Sequence, residues 1–545
     1  MVEQETDSFE DLDQKSGVNI RQDGGPAALK GLSIRGSTSK EVGVFFEGIR
    51  MNSFASGELD LGLISPMGLG NNFLIKGGHH SYSSSPQGAL FLELPKTEAT
   101  ETQLVVGDYY TFGLYQRHPG ISFSLDHSHN DYAYEINGQR QRREDNAHYR
   151  VNLRLWKRWS DGQVWAQLLN NNIQLPGPVN LAFNPVNSWT LRPMTALQLR
   201  FGLWQLDTFF SYQRQTYDED INHSISSIAR LSHRRQITEN LAQEISFEES
   251  LDWLNAARFE SPVRSLSLLT WNLLWNPTPT WLLNPQLQAD FVSDLEEAWA
   301  LTGTLGIKRA LNTWLTLSHH WSYTSRVPNF NEMYFEIPPS FVSNKNLKRE
   351  ESLQVDLGWE SQNSNLTASQ SVFLIRTNNT ISSVSTDGIF QSQNSGAGAR
   401  LGLENDIKYR WSNWGLLRLS YELLIARIQS SNESLWRLDP IKSSTKQLYQ
   451  PIHKASLSQS FFLGQVIEIN PNLVYRSSVR ASSDNDEIPQ QWNAGLVLKA
   501  RQTRLIPLET KLTIENILSW NREETFGYPL GSEPRVTLSL QKIWN

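Results

Sequence analysis

The sequence predicts an all-β membrane protein: an antiparallel transmembrane β-barrel of about 22 strands with a small mixed α/β plug, formed by its N-terminus, inside the lumen. Three observations carry this expectation. No stretch of the 545 residues approaches the roughly 18 uninterrupted apolar residues of a membrane-spanning helix. Apolar and polar residues alternate with period 2 from about residue 100 to the end. The chain also holds 19 Trp and 16 Tyr, residues that favour membrane–water interfaces. In lipid only helices and closed barrels satisfy every backbone N–H and C=O, so a chain without apolar helices that alternates this way is left with the barrel.

Composition narrows the function classes. Lys+Arg number 49 and Asp+Glu 56, a balance of 49 − 56 = −7, which argues against a dedicated nucleic-acid partner. The absence of Cys removes thiol nucleophiles, Cys-ligated zinc, iron–sulfur clusters and disulfides. No cofactor is expected, and the spacing of Asp126, Asp131 and Asp145 fits no compact calcium loop.

Residues 1–96 read as the plug. They are Gly-rich, with short apolar groups such as Val42, Val44, Phe45 and Phe46 between polar loops. Residues 97–545 read as the barrel. Ile121, Phe123 and Leu125 alternate with Ser122 and Ser124; Val151, Leu153 and Leu155 alternate with Asn152 and Arg154. Leu353, Val355, Leu357 and Trp359 enclose Gln354, Asp356 and Gly358, and the chain closes on Val536, Leu538, Leu540 and Trp544. One face would meet lipid and the other a wet lumen. A large soluble all-β protein would alternate equally well. What favours the barrel is persistence without a domain break and aromatics at strand ends, such as Trp156 with Trp159 and Trp411 with Trp414.

Particular segments carry a family resemblance. Ser16 to Gln22, Leu32 to Gly36 and Val44 to Asn52 resemble, in order, three plug motifs of TonB-dependent outer-membrane receptors. In the barrel, Arg326 to Tyr334 with Asn346 to Ser352, Asn394 to Glu404, Leu448 to Lys454, and Glu515 to Leu518 are similar to further family motifs. The segment Asp131 to Tyr134 and the barrel length resemble most the vitamin B12 receptor branch.

The resemblance implies a Gram-negative-type outer membrane, contact with its lipid, and uptake of a scarce large ligand, a corrinoid or a metal chelate such as a ferric siderophore. A TonB-type energy-coupling complex would drive it, and no bond in the ligand would be made or broken. The plug loop holding Met51, Asn52, Ser53 and Phe54 matches the family's ligand-facing position, although the same residues fit an ordinary solvated turn. His79, His80 and Tyr82 form a second ligand-contact candidate against a plain loop; adjacent His on a strand point to opposite faces, which disfavours a shared metal. The resemblance also implies a plug–barrel latch of Arg35 and Lys76 with Glu350 and Glu404, looser than usual because Lys76 lacks an arginine fork. Arg140, Arg142 and Arg143 fit either a charged loop or lumen lining, or an anionic-ligand or lipopolysaccharide contact.

The N-terminus is acidic from Glu3 and does not read as a secretory signal, and a motor-binding box is expected further upstream. A start placed too far downstream, a fragment, or a receptor without the box all fit. A plugged barrel without motor coupling, serving as a surface receptor or assembly partner, is therefore the second function; a barrel enzyme would need a rim constellation that the sequence does not offer.

Overall fold

The computed structural model describes residues 3–544 except 7–11, 25–28, 66, 71, 79–86, 97–98, 109–110, 137–138, 176, 180–185, 430–444, 482–485 and 504–506. On most barrel strands apolar side chains face outward and polar ones inward, the reverse of a soluble core, while Trp165, Leu169, Met194 and Phe209 turn inward onto the plug. On the strand Ile121–Ile136, Ile121 and Phe123 are exposed while Ser122 and Ser124 are buried. On Gln139–Trp159, Leu155 is exposed while Asn152 and Arg154 are buried.

Twenty-two long strands close into an antiparallel barrel, sealed where Arg535–Trp544 pairs with Thr100–Gly107 from Thr537↔Gly107 to Trp544↔Thr100. Closure removes the unpaired edges that lipid would not tolerate. One rim carries tight turns, at 119–120, 160–161 and 202–203, and the other long connections such as 327–349 and 516–534. Short periplasmic turns and longer outer loops are the outer-membrane pattern, which orients the barrel. Trp159, Trp204, Trp275, Trp314, Trp414 and Trp544 all lie exposed near the short-turn rim, forming an aromatic girdle at that interface.

The lumen is filled by a five-stranded sheet in the order β1 (Glu3–Thr6), β6 (Asn72–Lys76), β7 (Gly88–Leu92), β4 (Val42–Phe46) and β5 (Ile49–Arg50), with a separate hairpin of β2 (Val18–Gln22) and β3 (Lys30–Ile34). β4 and β7 run parallel, and their fully buried side chains explain why this part of the sequence does not alternate. Leu12, Val18, Ile34, Val44, Leu74 and Leu90 are among its core residues.

Outside the membrane, the connection 327–349 holds a one-turn helix, α1 (Phe330–Tyr334), capped by Asn329, whose side chain accepts from Glu332 N at 2.9 Å. The strands Leu366–Thr386 and Ile389–Ser412 are 21 and 24 residues long, about twice what a bilayer needs. Phe341–Val342 pairs in parallel with Phe390 and Gln391 near the tip of that hairpin.

Candidate functional site

The site is the plug–barrel interface and its outer mouth. Arg35 sits in the left-handed region (φ 53) at the turn ending β3, which turns its side chain toward the barrel. Its Nε and Nη2 donate to the two oxygens of Glu404, each at 3.1 Å, and Nη1 pairs with Asp356. The guanidinium lies over the Phe373 ring, 4.4 Å from its centroid. Burial alone would lower the Arg35 pKa; the charges of Asp356 and then Glu404 outweigh burial and raise it. Lys76 Nζ stands 3.4 Å from Glu404, 4.0 Å from Asp406 and 3.2 Å from Ser16 Oγ, which itself donates to Asp406 at 2.6 Å. Gly17 lets this cluster close: a Cβ there would lie 1.8 Å from Glu404 Oε1, and its φ of +66 disfavours any other residue.

Three of the four latch residues expected from the sequence therefore meet: Arg35, Lys76 and Glu404. Glu350 does not join them, and this corrects the expected pairing. Its carboxylate takes Arg326 and the Ile381 N–H, the latter at 2.6 Å. Glu350 opens its strand opposite Arg326, whereas Asp356 lies six residues further in, about 20 Å toward the short-turn rim and level with Arg35. Asp356 was visible in the sequence as a polar member of an alternating strand; nothing local set its height.

Further ion pairs join plug and barrel. Lys40 meets Glu332 of α1 at 3.0 Å, and Glu332 also takes the Arg326 fork at 2.9 and 3.2 Å. Burial raises the Glu332 carboxyl, but Arg326 and then Lys40 bring it down to about 2. Glu41 meets Arg400 at 3.1 Å, and Asp13 meets Lys454 at 3.0 Å.

The loop after β5 is occupied rather than open. Met51 is buried, and its carbonyl accepts from Arg192 at 3.3 Å. Asn52 spends its amide on its own hairpin, accepting from Val44 N at 2.8 Å and donating to Val42 O at 2.9 Å and Gly57 O at 3.2 Å. Ser53 accepts from Ala55 N at 3.2 Å. Phe54 packs edge-on against Phe330 at 5.3 Å, and its carbonyl accepts from Phe330 N at 3.2 Å. Asn331 N donates to Ala55 O at 2.8 Å, so α1 grips the loop by its backbone. His79, His80 and Tyr82 lie outside the described residues. Beneath the loop is a cavity of about 100 Å³ lined by Arg50, Asn52, Phe54, Asp252, Arg264 and Asp290, among others. Its size suits a few water molecules and is too small for a large ligand.

With this geometry established, known proteins give its family. The family described as TonB dependent receptor-like, beta-barrel matches residues 96–500. The chain belongs to this family. A search of curated proteins by sequence finds no match. Among solved structures, the FrpB iron transporter from Neisseria meningitidis (F3-3 variant) is similar at 10% identity and TM-score 0.79, covering 98% of this chain and 96% of that one. The siderophore receptor PirA from Acinetobacter baumannii is similar at 11% identity and TM-score 0.75, covering 99% and 98%. The copper transporter OprC is similar at 12% identity and TM-score 0.79, covering 97% and 94%. At such identities these likenesses speak for the fold.

On the other flank, this TonB-dependent receptor holds its plug differently. Barrel arginines there reach plug carbonyls: Arg150 donates to Gly62 O at 2.6 Å and Ile64 O at 3.0 Å, and Arg154 to Met67 O at 3.1 Å and Ser65 O at 3.2 Å. Arg158 donates to Pro95 O at 2.9 Å and pairs with the plug carboxylate Glu47 at 3.3 Å. The segment that Arg150 and Arg154 hold begins at a 3-10 turn, Leu61–Leu63, capped by Asp60, whose side chain accepts from Gly62 N at 2.8 Å. Burial pushes the Asp60 carboxyl up to about 6.

Proposed function

We infer that the receptor imports a metal chelate of the ferric-siderophore kind across the outer membrane, with residues 1–96 as the moving plug and 97–545 as the barrel. The observation that carries this reading is that, among the described residues, the plug sheet fills the lumen. With only about 100 Å³ free beneath the apical loop, a chelate passes only if the plug shifts, which is the behaviour of an energised importer rather than a porin. A chelate is favoured over a corrinoid on two grounds. Met51, Asn52 and Phe54, on which corrinoid contact would rest, are engaged by Arg192, by their own hairpin and by α1. The structural relatives are an iron transporter, a siderophore receptor and a copper transporter. Arg35, Lys76, Glu404 and Asp356 are the latch that seats the plug, and His79, His80 and Tyr82 remain ligand-contact candidates.

Equilibrium binding of ferric enterobactin, ferrichrome and cobalamin to the purified protein tests the ligand class. Saturable binding of a ferric chelate supports the reading; saturable binding of cobalamin alone overturns it. Uptake in cells with and without TonB tests coupling. Uptake that persists without TonB replaces energised import with the second reading, a plugged surface receptor working without a motor.

A further inference from the structure

The lipid-facing wall formed by Leu366–Thr386, Ile389–Ser412 and Gly415–Gln429 carries polar side chains at a depth where hydrocarbon surrounds it. On the lumen side Ser371 donates to Glu404 at 3.0 Å and Ser420 to Asp406 at 2.6 Å, so the alternate residues Gln370, Asn405 and Tyr421 point outward. These three lie side by side across the sheet, in the pairs Gln370↔Asn405 and Asn405↔Tyr421. Asn405 is 412 − 405 = 7 residues from the end of its strand, about 23 Å along it and, at a tilt of about 40°, about 18 Å above the short-turn rim. The apolar band of such barrels is about 25 Å tall, so the row runs through it. Exposed Val372, Leu401, Leu419 and Ile425 frame it above and below.

The row is hydrogen-bonded within itself but ends on an unused donor. Trp359 Nε1 donates to Gln370 Oε1 at 3.2 Å, and Gln370 Nε2 donates to Asn405 Oδ1 at 2.7 Å. The Asn405 amide nitrogen then meets no acceptor among the described residues, and the Tyr421 hydroxyl is engaged 3.0 Å from His453 Nδ1. Acyl chains offer no acceptor, and polar side chains in lipid are matched by hydrogen bonds to a neighbouring segment. Another wall shows the contrast. Glu249 also faces lipid, but it accepts from Ser265 at 2.7 Å and from Ser267, so its carboxylate is matched within its own sheet.

We propose that this wall is the contact face of a homodimer, with Asn405 on the two-fold axis and Gln370 beside it. A carboxamide is donor and acceptor at once, so the same amide on a second copy accepts the free N–H and returns its own, closing a reciprocal pair. The contact is isologous: one patch serves both copies, and the assembly closes at two. The symmetry also keeps cations on this wall apart. Arg376 and Arg427 flank Ala399, six residues further out than Asn405. Strand tilt carries them about 13 Å to one side of the axis, and those of the second copy an equal distance to the other.

The chain has no Cys, so single-cysteine variants of the full chain in outer membranes, treated with a short bismaleimide, read the contact directly. Leu403→Cys, next to the axis on the lipid face, is expected to give a species of twice the chain's mass. Leu251→Cys and Leu301→Cys, exposed to lipid on another wall, are expected to stay single. Adding Gln370→Leu and Asn405→Leu to Leu403→Cys should cut the yield about tenfold, as the loss of hydrogen bonds between chains in lipid implies, while the barrel stays folded. No doubled species, a cross-link only to a different protein, equal yields on the two walls, or a yield unchanged by the leucine pair overturns the proposal. The unmodified chain gives an independent measurement in lipid nanodiscs wide enough for two barrels. Loading in pairs beyond chance is expected, and random loading overturns the dimer.

Discussion

One flank of the plug reaches the barrel mostly through ion pairs and the other mostly through backbone carbonyls. On one, plug cations Arg35, Lys76 and Lys40 enter barrel carboxylates Asp356, Glu404 and Glu332. On the other, barrel cations Arg150 and Arg154 reach plug carbonyls, while Arg158 joins a carbonyl bond to Pro95 with an ion pair to Glu47 at 3.3 Å. Removing one partner of a buried ion pair strands the other charge, at about 3–5 kcal/mol. Losing a hydrogen bond to a carbonyl leaves a neutral group unsatisfied, at about 1–3 kcal/mol. The first flank, with more buried ion pairs, is the firmer seat and the second the more easily released one.

The largest effect expected on this contrast comes from Arg35→Met, which strips Asp356 of its arginine and leaves Glu404 with Lys76 alone. Plug seating should weaken by about 3–5 kcal/mol, read as faster hydrogen exchange through β2 and β3. Exchange no faster than in the unmodified protein would remove the distinction between the flanks.

Acid should move the two flanks in opposite directions. Asp60, near 6 in the folded state against an ordinary 3.8, binds its proton better when folded, so its contribution favours the fold at low pH and is lost as pH rises from about 4 to 6. Glu332, near 2 against an ordinary 4.5, contributes stability above about 4.5 that is lost as pH falls toward 2. The shift at Asp60 corresponds to at most about 3 kcal/mol at 1.36 kcal/mol per unit. Asp60→Asn should flatten the pH 4–6 slope in the exchange of residues 61–70; an unchanged slope assigns it to another group.

Arg154→Met should cost only about 1 kcal/mol, because losing bonds to two carbonyls is offset by relieving the burial of a guanidinium. Urea titration of plug release measures it, and a cost equal to that of Arg35→Met would mean the flanks are equivalent. Smallest is Lys76→Arg. Arg35 already occupies both oxygens of Glu404, so the added fork finds no free pair there and the gain should stay below about 0.5 kcal/mol, less than one net hydrogen bond. A tighter plug in the same titration would restore the expectation of a latch loosened by lysine.

Where the sequence was legible, one-dimensional pattern mapped directly onto geometry. A strand that turns its side chains alternately out and in writes its two environments into alternate letters, and Ile121, Phe123, Ser122 and Ser124 lie on the sides their chemistry dictates. Latch height was not legible. Glu350 and Asp356 share a strand, and which one meets Arg35 depends on strand pairing and on the depth of the plug. The apical loop misled for another reason. An asparagine in a turn suits ligand contact and hairpin closure equally, and Asn52 is committed to closure by bonds to Val42, Val44 and Gly57.

The tall hairpin of Leu366–Thr386 and Ile389–Ser412 has a mechanical consequence. With about ten residues per strand beyond what the bilayer requires, its tip stands about 35 Å clear of the hydrocarbon. Phe341 and Val342 are stitched to it at Phe390 and Gln391, and the same connection carries α1, whose backbone holds Phe54 and Ala55 of the plug. The hairpin is thus a lever arm with its long end outside the cell and its short end on the plug, and a sideways load at Asp387 and Gly388 arrives as torque on the apical loop.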